Sequence, residues 1–289
     1  MLQSFAILFR ETFEVALILG IVLGYLRRSG QSEYIRSVYL GLGAGVAASV
    51  LGAFIFRLLA GGFSGRSEEI FEGATMLAGA ILLTTLIVWM ARKSGEVLEL
   101  ERKVAQHVSG TRRLGLFLLV FFSVLREGIE SVVFLSASTF ASGESSLPGA
   151  AIGLTAAVLL GMLLFRGALR INLRAFFTAT NILLILFAAG LVAGGVHELQ
   201  EAGVMPIVVE HIWDINPAMA GAGYPALHEN GLIGSLAKGL FGYNGNPSLL
   251  EAIVYVLYLF TALGLWLRGR SSKERRDTSG QTRRWEAHA

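Results

Sequence analysis

Along the chain, long apolar runs alternate with short polar joints rich in basic residues. A bilayer-spanning helix needs about 20 apolar residues. Seven runs qualify: Leu2–Leu26, Val38–Leu59, Ile70–Ala91, Leu114–Ser138, Ala150–Arg170, Ala175–Val196 and Leu249–Leu267. They are continuous rather than alternating with period two, so the pattern predicts helices and not membrane strands. Residues 197–247 are rich in Gly, Pro and aromatics and hold no span, which predicts short helices or an ordered cap over the outer face. Arg92–Arg113 predicts a cytoplasmic helical extension with Val97, Leu100 and Val104 on its packing side. The polar, basic segment 268–289 predicts a cytoplasmic tail that is disordered or lies against anionic lipid.

Composition agrees with the pattern. The 289 residues are 54% apolar and 16% charged, where a soluble domain carries about 25% charged residues. This is the composition of an all-α integral membrane protein. The net charge of +3 does not point to nucleic acid, because the basic residues fall in short clusters between spans. Cysteine is absent, which excludes disulfides, thiolate metal sites and cysteine redox chemistry. No basic residue precedes the first apolar run, so that run is expected to stay as a membrane helix rather than be cleaved as a signal.

The basic clusters also set a direction. Arg27, Arg28 and Arg36, then Arg92, Lys93, Arg102, Lys103, Arg112 and Arg113, then Arg166, Arg170 and Arg174 fall in alternate joints, and the tail adds seven more. The opposite joints hold only Arg57, Arg66 and Lys238. The expectation is a multi-pass protein with its N-terminus outside and its C-terminus in the cytoplasm.

Two of the runs carry an anomaly at their middles. Arg10-Glu11-Thr12-Phe13-Glu14 interrupts the first run and Arg126-Glu127-Gly128-Ile129-Glu130 the fourth, 116 residues later. Each charged group at the bilayer centre costs roughly 2.5–3.5 kcal/mol even on a mild insertion scale. The equivalent placement predicts two inverted three-helix units, residues 1–91 and 114–196, followed by the cap 197–247 and a seventh helix 249–267. Small-residue patterns such as Gly41-Leu42-Gly43-Ala44-Gly45 need only close helix packing to explain them.

Residues three apart share a helix face, so Glu11 with Glu14, and Glu127 with Glu130, present paired carboxylates. Arg10 and Arg126 stand four residues from Glu14 and Glu130 and brace them within the helix. If the two helices pack together, four carboxylates meet two guanidinium groups and leave about two negative charges for a cation. Such oxygen ligands favour hard metals, namely iron, manganese, magnesium or calcium, over copper(I). Magnesium, which keeps most of its water, fits least well. The competing reading of the same charges is a salt-bridge lattice that holds the helices in register.

Further acidic groups fall at the outer ends of spans. Glu68, Glu69 and Glu72 open the third; His197, Glu198 and Glu201 close the sixth. They are read as an entry vestibule or as solvated helix ends. His211, Asp214, His228 and Glu229 in the cap are weaker metal candidates, and His107 and His288 are read as solvated. His197-Glu198-Leu199-Gln200-Glu201 lacks the second His of a zinc-protease motif.

With two Arg-Glu-x-x-Glu motifs in the first and fourth of seven predicted helices, the chain resembles the oxidase-dependent iron permease family, in its bacterial ferrous iron permease branch. Phe71-Glu72-Gly73, Gly194-Gly195-Val196-His197-Glu198-Leu199-Gln200, Leu240-Phe241-Gly242-Tyr243 and Asn246-Pro247-Ser248 strengthen the likeness, which covers residues 1–267. The resemblance implies iron import across the bacterial inner membrane, with Glu11, Glu14, Glu127 and Glu130 as iron ligands. Iron is then the transported substrate rather than a resident cofactor. The first motif departs from the commoner Glu-Gly-Leu-Glu: Phe13 would narrow the path or shift metal preference, and Thr12 offers a hydroxyl. The chain opens directly on its first span, so extracytoplasmic partner proteins are expected to oxidise or capture the iron. Membrane lipid is an expected partner, nucleic acid is not, and homo-oligomerisation is left open. Two other functions fit the residues less closely: transport of another cation such as manganese or lead (or plain proton exchange), and a membrane di-iron oxidase. The oxidase reading suffers from the lack of a His inside any predicted span.

Overall fold

The structure, a computed structural model, describes residues 2–92, 113–142, 147–166, 173–216, 224–229 and 231–286. All regular structure among the described residues is helical. The α-helices are α1 Leu2–Arg28, α2 Ile35–Ala60, α3 Arg66–Arg92, α4 Arg113–Ser142, α5 Leu147–Phe165, α6 Leu173–Glu201, α7 Leu232–Phe241 and α8 Leu249–Glu286.

Five segments are long and apolar enough to cross a membrane: Ser32–Ala60, Arg66–Val88, Leu147–Phe165, Thr178–Glu201 and Leu249–Arg268. Helices α1 and α4, at 27 and 30 residues, have the length and differ by the charged clusters at their middles. The chain is thus a helical, multi-pass membrane protein. The short helix α7 falls within 197–247.

Three helix pairs dominate the packing: α1 with α5, α2 with α4, and α3 with α6. Each is close because a glycine stands where a side chain would not fit. A Cβ on Gly41 would lie 2.6 Å from the Phe117 carbonyl oxygen, joining α2 to α4. A Cβ on Gly153 would run into the Phe5 carbonyl, joining α5 to α1. Gly73 and Gly195 do the same for α3 and α6, where a Cβ on Gly73 would lie 3.0 Å from the Gly195 carbonyl. Small residues let helices approach and gain dispersion contacts that lipid cannot match.

One apolar core joins α1, α3, α4, α6 and α8 through residues such as Ile7, Leu83, Phe134, Ala188 and Trp266. A second, built on Val22, Val38 and Val120, joins α1, α2 and α4. Helix α7 packs against α1 and α6. Gly242 ends it in the left-handed region at φ 65° and presses its backbone against Gly190 of α6, where neither residue has space for a side chain.

The structure corrects one expectation. The chain past Leu267 continues α8 as a helix to Glu286 instead of becoming a disordered tail. Lys273, Glu274, Arg275, Arg276, Gln281, Arg283 and Arg284 are straight-chain residues with good helix propensity, and polarity alone does not end a helix. The expected extension through Val97, Leu100 and Val104, and the residues His107 and His288, lie outside the described residues.

Candidate functional site

Helices α1 and α4 meet at their charged middles. Arg10 sits inside the bundle and reaches two carboxylates at once. Its Nη1 donates to Glu11 Oε1 at 2.8 Å and its Nη2 lies 2.8 Å from Glu14 Oε1. From the other helix, Glu127 brings a carboxylate to the same place, and ligand oxygens of Glu11, Glu14 and Glu127 lie within 4.8 Å of one another. Oε2 of Glu11, of Glu127 and of Glu130 is buried without a hydrogen-bond donor among the described residues. Three carboxylates against one enclosed guanidinium, with acceptor oxygens left over, suit a hard cation that offers charge and no hydrogen.

The second motif is arranged differently. Arg126 Nε donates to Glu130 Oε1 at 2.9 Å and lies 3.9 Å from Glu127. Glu130 stays outside the three-carboxylate group, held by this pair. The Arg126 side chain is 49% exposed, against 1% for Arg10. Thr12 is half-buried, and Phe13 is fully buried in a ladder with Phe9, their rings 6.1 Å apart and parallel to within 2°. On the helix Phe13 lies about 200° round from Glu11, so its ring packs on a different face from that carboxylate.

The acidic helix ends are brought together by the α3–α6 contact. A Cβ on Gly73 would lie 3.2 Å from the Glu198 Cβ, which sets Glu72 and Glu198 beside each other. Glu68 is exposed, while Glu69 and Glu72 are half-buried. His197 is held from both sides, with Nε2 3.3 Å from Glu201 and Nδ1 3.1 Å from Glu251.

Glu251 is a residue that the hydropathy reading passed over. It is buried at the start of α8, where its carboxylate accepts from the Ser248 N–H at 3.1 Å and from Asn244 Nδ2 at 2.8 Å. The Glu251 N–H donates back to Ser248 Oγ at 3.2 Å. This is a capping box, and the spacing Ser248-Leu249-Leu250-Glu251 just before an apolar run was the signal that could have found it.

The weaker candidates in the cap are spread out and otherwise engaged. His211 Nδ1 lies 2.9 Å from the Asn246 carbonyl, and Asp214 accepts from the Asn216 N–H at 2.9 Å. His228 is buried against Tyr224, with ring centroids 4.4 Å apart. Glu229 accepts from Lys238 Nζ at 2.8 Å and from the Gly245 N–H at 2.8 Å.

Residues 1–268 match the Iron permease FTR1 family. The chain belongs to that family. It is 35% identical to "Ferrous iron permease EfeU" of Escherichia coli O157:H7 over 91% of this chain and 94% of the relative. The protein of that name in Yersinia pestis is 33% identical over 92% and 93% of the two chains. An uncharacterised Archaeoglobus fulgidus protein is 34% identical over 92% and 94%. No solved structure matches the chain.

Proposed function

We propose that this FTR1-family protein is a permease that carries iron ions across the bacterial inner membrane through the carboxylates of its two motifs. The carrying observation is the meeting of Glu11, Glu14 and Glu127 within 4.8 Å, deep between two long apolar helices. Its membership of an iron permease family, and the printed function of its E. coli and Y. pestis relatives, support the same reading.

In this reading Glu11, Glu14 and Glu127 form the central cage, and Glu130 takes the ion from them on the Arg126 side. Arg10 and Arg126 offset part of the negative charge that the glutamates bring together, and the ion offsets the rest. Iron is substrate, and transport is the activity rather than catalysis. Glu68, Glu69, Glu72, His197, Glu198 and Glu201 gather iron at the outer mouth, where extracytoplasmic partner proteins deliver it.

The inverted-repeat reading is supported by the helix pairs. Exchanging the first three helices with the next three turns the α1–α5 pair into α4–α2 and leaves α3–α6 unchanged, which is the observed set. In this reading the N-terminus lies outside and the C-terminus in the cytoplasm, the sense that the basic joints favour.

The test is uptake of radioactive iron by proteoliposomes bearing Glu14→Gln. We expect uptake at the background of empty vesicles with insertion unchanged, and full uptake by that variant would overturn the cage. Manganese and lead competition in the same vesicles separates an iron permease from a broader cation transporter.

A further inference from the structure

Among the described residues, the helices of the bundle bury unpaired side-chain oxygens in the two motifs and at one other place, Asn181 of α6, which is 5% exposed and whose Oδ1 has no hydrogen-bond partner. Native proteins rarely leave a buried amide unpaired, and such a group calls for an explanation.

Two registrations fix its depth. Leu184, Ile185 and Ala188 follow Asn181 at three, four and seven residues, so all four share a helix face. Those three join Ile7 of α1 and Phe134 of α4 in one buried cluster. Glu11 is four residues beyond Ile7 and Glu130 four residues before Phe134, both on the side away from α7. Asn181 therefore stands one turn from the shared cluster in the same direction as the two glutamates.

The second registration starts from α7. Gln3 of α1 donates to the Lys238 carbonyl at 3.4 Å, and Gly190 of α6 touches Gly242. Glu11 is eight residues from Gln3, and Asn181 nine from Gly190, or about 12 and 14 Å along their helices. Both measures bring Asn181 to the level of the motif carboxylates.

We infer that Asn181 is a further ligand position of the cation path, presenting an uncharged amide oxygen at the depth of the glutamates. The inference rests on the glutamate passage proposed above. Amide oxygens bind hard cations that have shed part of their water, as carboxylates do. They add no charge, so the ion gains a ligand without being held more tightly by net electrostatics. A path must bind its ion well enough to admit it and loosely enough to release it. A neutral oxygen at the depth of the carboxylates meets both needs.

The test uses the full chain in detergent, with Mn²⁺ as a redox-stable probe and Fe²⁺ under anaerobic conditions, both by equilibrium dialysis. Asn181→Leu should weaken binding of both ions by roughly tenfold, the loss of one good polar contact to a charge. The isosteric Asn181→Asp adds a charge once ionised and, in mildly alkaline buffer where a buried carboxyl sheds its proton, should tighten binding by at least about tenfold while slowing iron release in proteoliposomes. Affinity for both ions within about twofold of the unaltered chain in either variant would overturn the inference, and Asp decides the matter if the Leu variant does not insert. Glu14→Gln is measured alongside. If that variant loses binding and the Asn181 variants do not, only the Asn181 inference falls; if it too binds normally, the passage reading falls with it.

Discussion

Arg10 and Arg126 hold the same place in two copies of one motif, yet the first side chain is 1% exposed and the second 49%. Their neighbours differ as sharply: Phe13 is fully buried, while its counterpart Ile129 is 50% exposed. The motif itself does not cause this, since both copies read Arg-Glu-x-x-Glu on the middle of a long helix. The surroundings do. On α1, α5 closes in through Gly153 and α7 is tied down over the first turn by the Gln3–Lys238 bond. On α4, Leu118, Phe122, Arg126 and Ile129 form an outward stripe that α2, packed on another face through Gly41 and Gly45, leaves uncovered. One copy has become an enclosed charge centre and the other a half-open one. Two copies of one motif thus sit in different surroundings, set by the helices packed against them.

The largest expected difference lies in the two arginines. Arg10→Leu leaves Glu11 and Glu14 facing Glu127 without the guanidinium between them, and breaking a buried pair costs about 3–5 kcal/mol. Arg126→Leu removes a guanidinium that is itself 49% exposed and should cost less than Arg10→Leu, although its partners Glu127 and Glu130 are largely buried. Thermal unfolding in detergent, followed by loss of the monodisperse species, measures both. Equal melting temperatures for the two variants would erase the distinction between the copies.

The helix contacts that produce the asymmetry come next. Gly153→Ala pushes a methyl group into the Phe5 backbone and Gly41→Ala into that of Phe117, neither of which can rotate aside. Overpacking of this kind costs about 1–3 kcal/mol. Gly43 and Gly52 meet nothing within 4 Å, so their Ala variants should be neutral or up to about 1 kcal/mol more stable, by helix propensity. Gly153→Ala should also make Arg10 more accessible, while Gly41→Ala leaves it sealed. Hydrogen exchange along α1 reads that difference, and equal exchange in the two variants would detach α5 from the sealing of Arg10.

Much of this was legible in the chain. Span length and hydropathy located the helices, because a membrane helix is specified by a long run of residues rather than by its neighbours. The charged clusters stood out for the same reason. The intrahelical pairs Arg10–Glu14 and Arg126–Glu130 followed from spacing alone. What depended on the neighbours was not legible. Glu130, paired with Arg126, falls outside the group that the other three carboxylates form, and no periodicity encodes a rotamer. The continuation of α8 to Glu286 was masked by composition, since charged residues make good helices and good tails alike. Asn181 looked like one polar residue in an apolar run until its enclosure and depth were known.

The smallest effect concerns the lid that helps to seal the first copy. Burial by itself would raise the Glu229 carboxyl, but the Lys238 ammonium and the Gly245 N–H outweigh it and hold the group below the ordinary glutamate range. A group lowered on folding stabilises the folded cap above its unfolded pKa, near about 4.3, and loses that contribution as pH falls through the folded value. Lys238 also accepts the Gln3 bond through its carbonyl, so loosening this pair should loosen α7 over the first turn of α1. Protection of the α7 amides, corrected for intrinsic exchange, should hold steady from neutral pH down to the ordinary glutamate range and fall below it, by less than about 1 kcal/mol. Lys238→Gln should flatten the profile, because Glu229 then has no ammonium to hold it down. A full acid transition in that variant would mean that other groups fasten the lid, and that the sealing of Arg10 owes nothing to the Glu229–Lys238 pair.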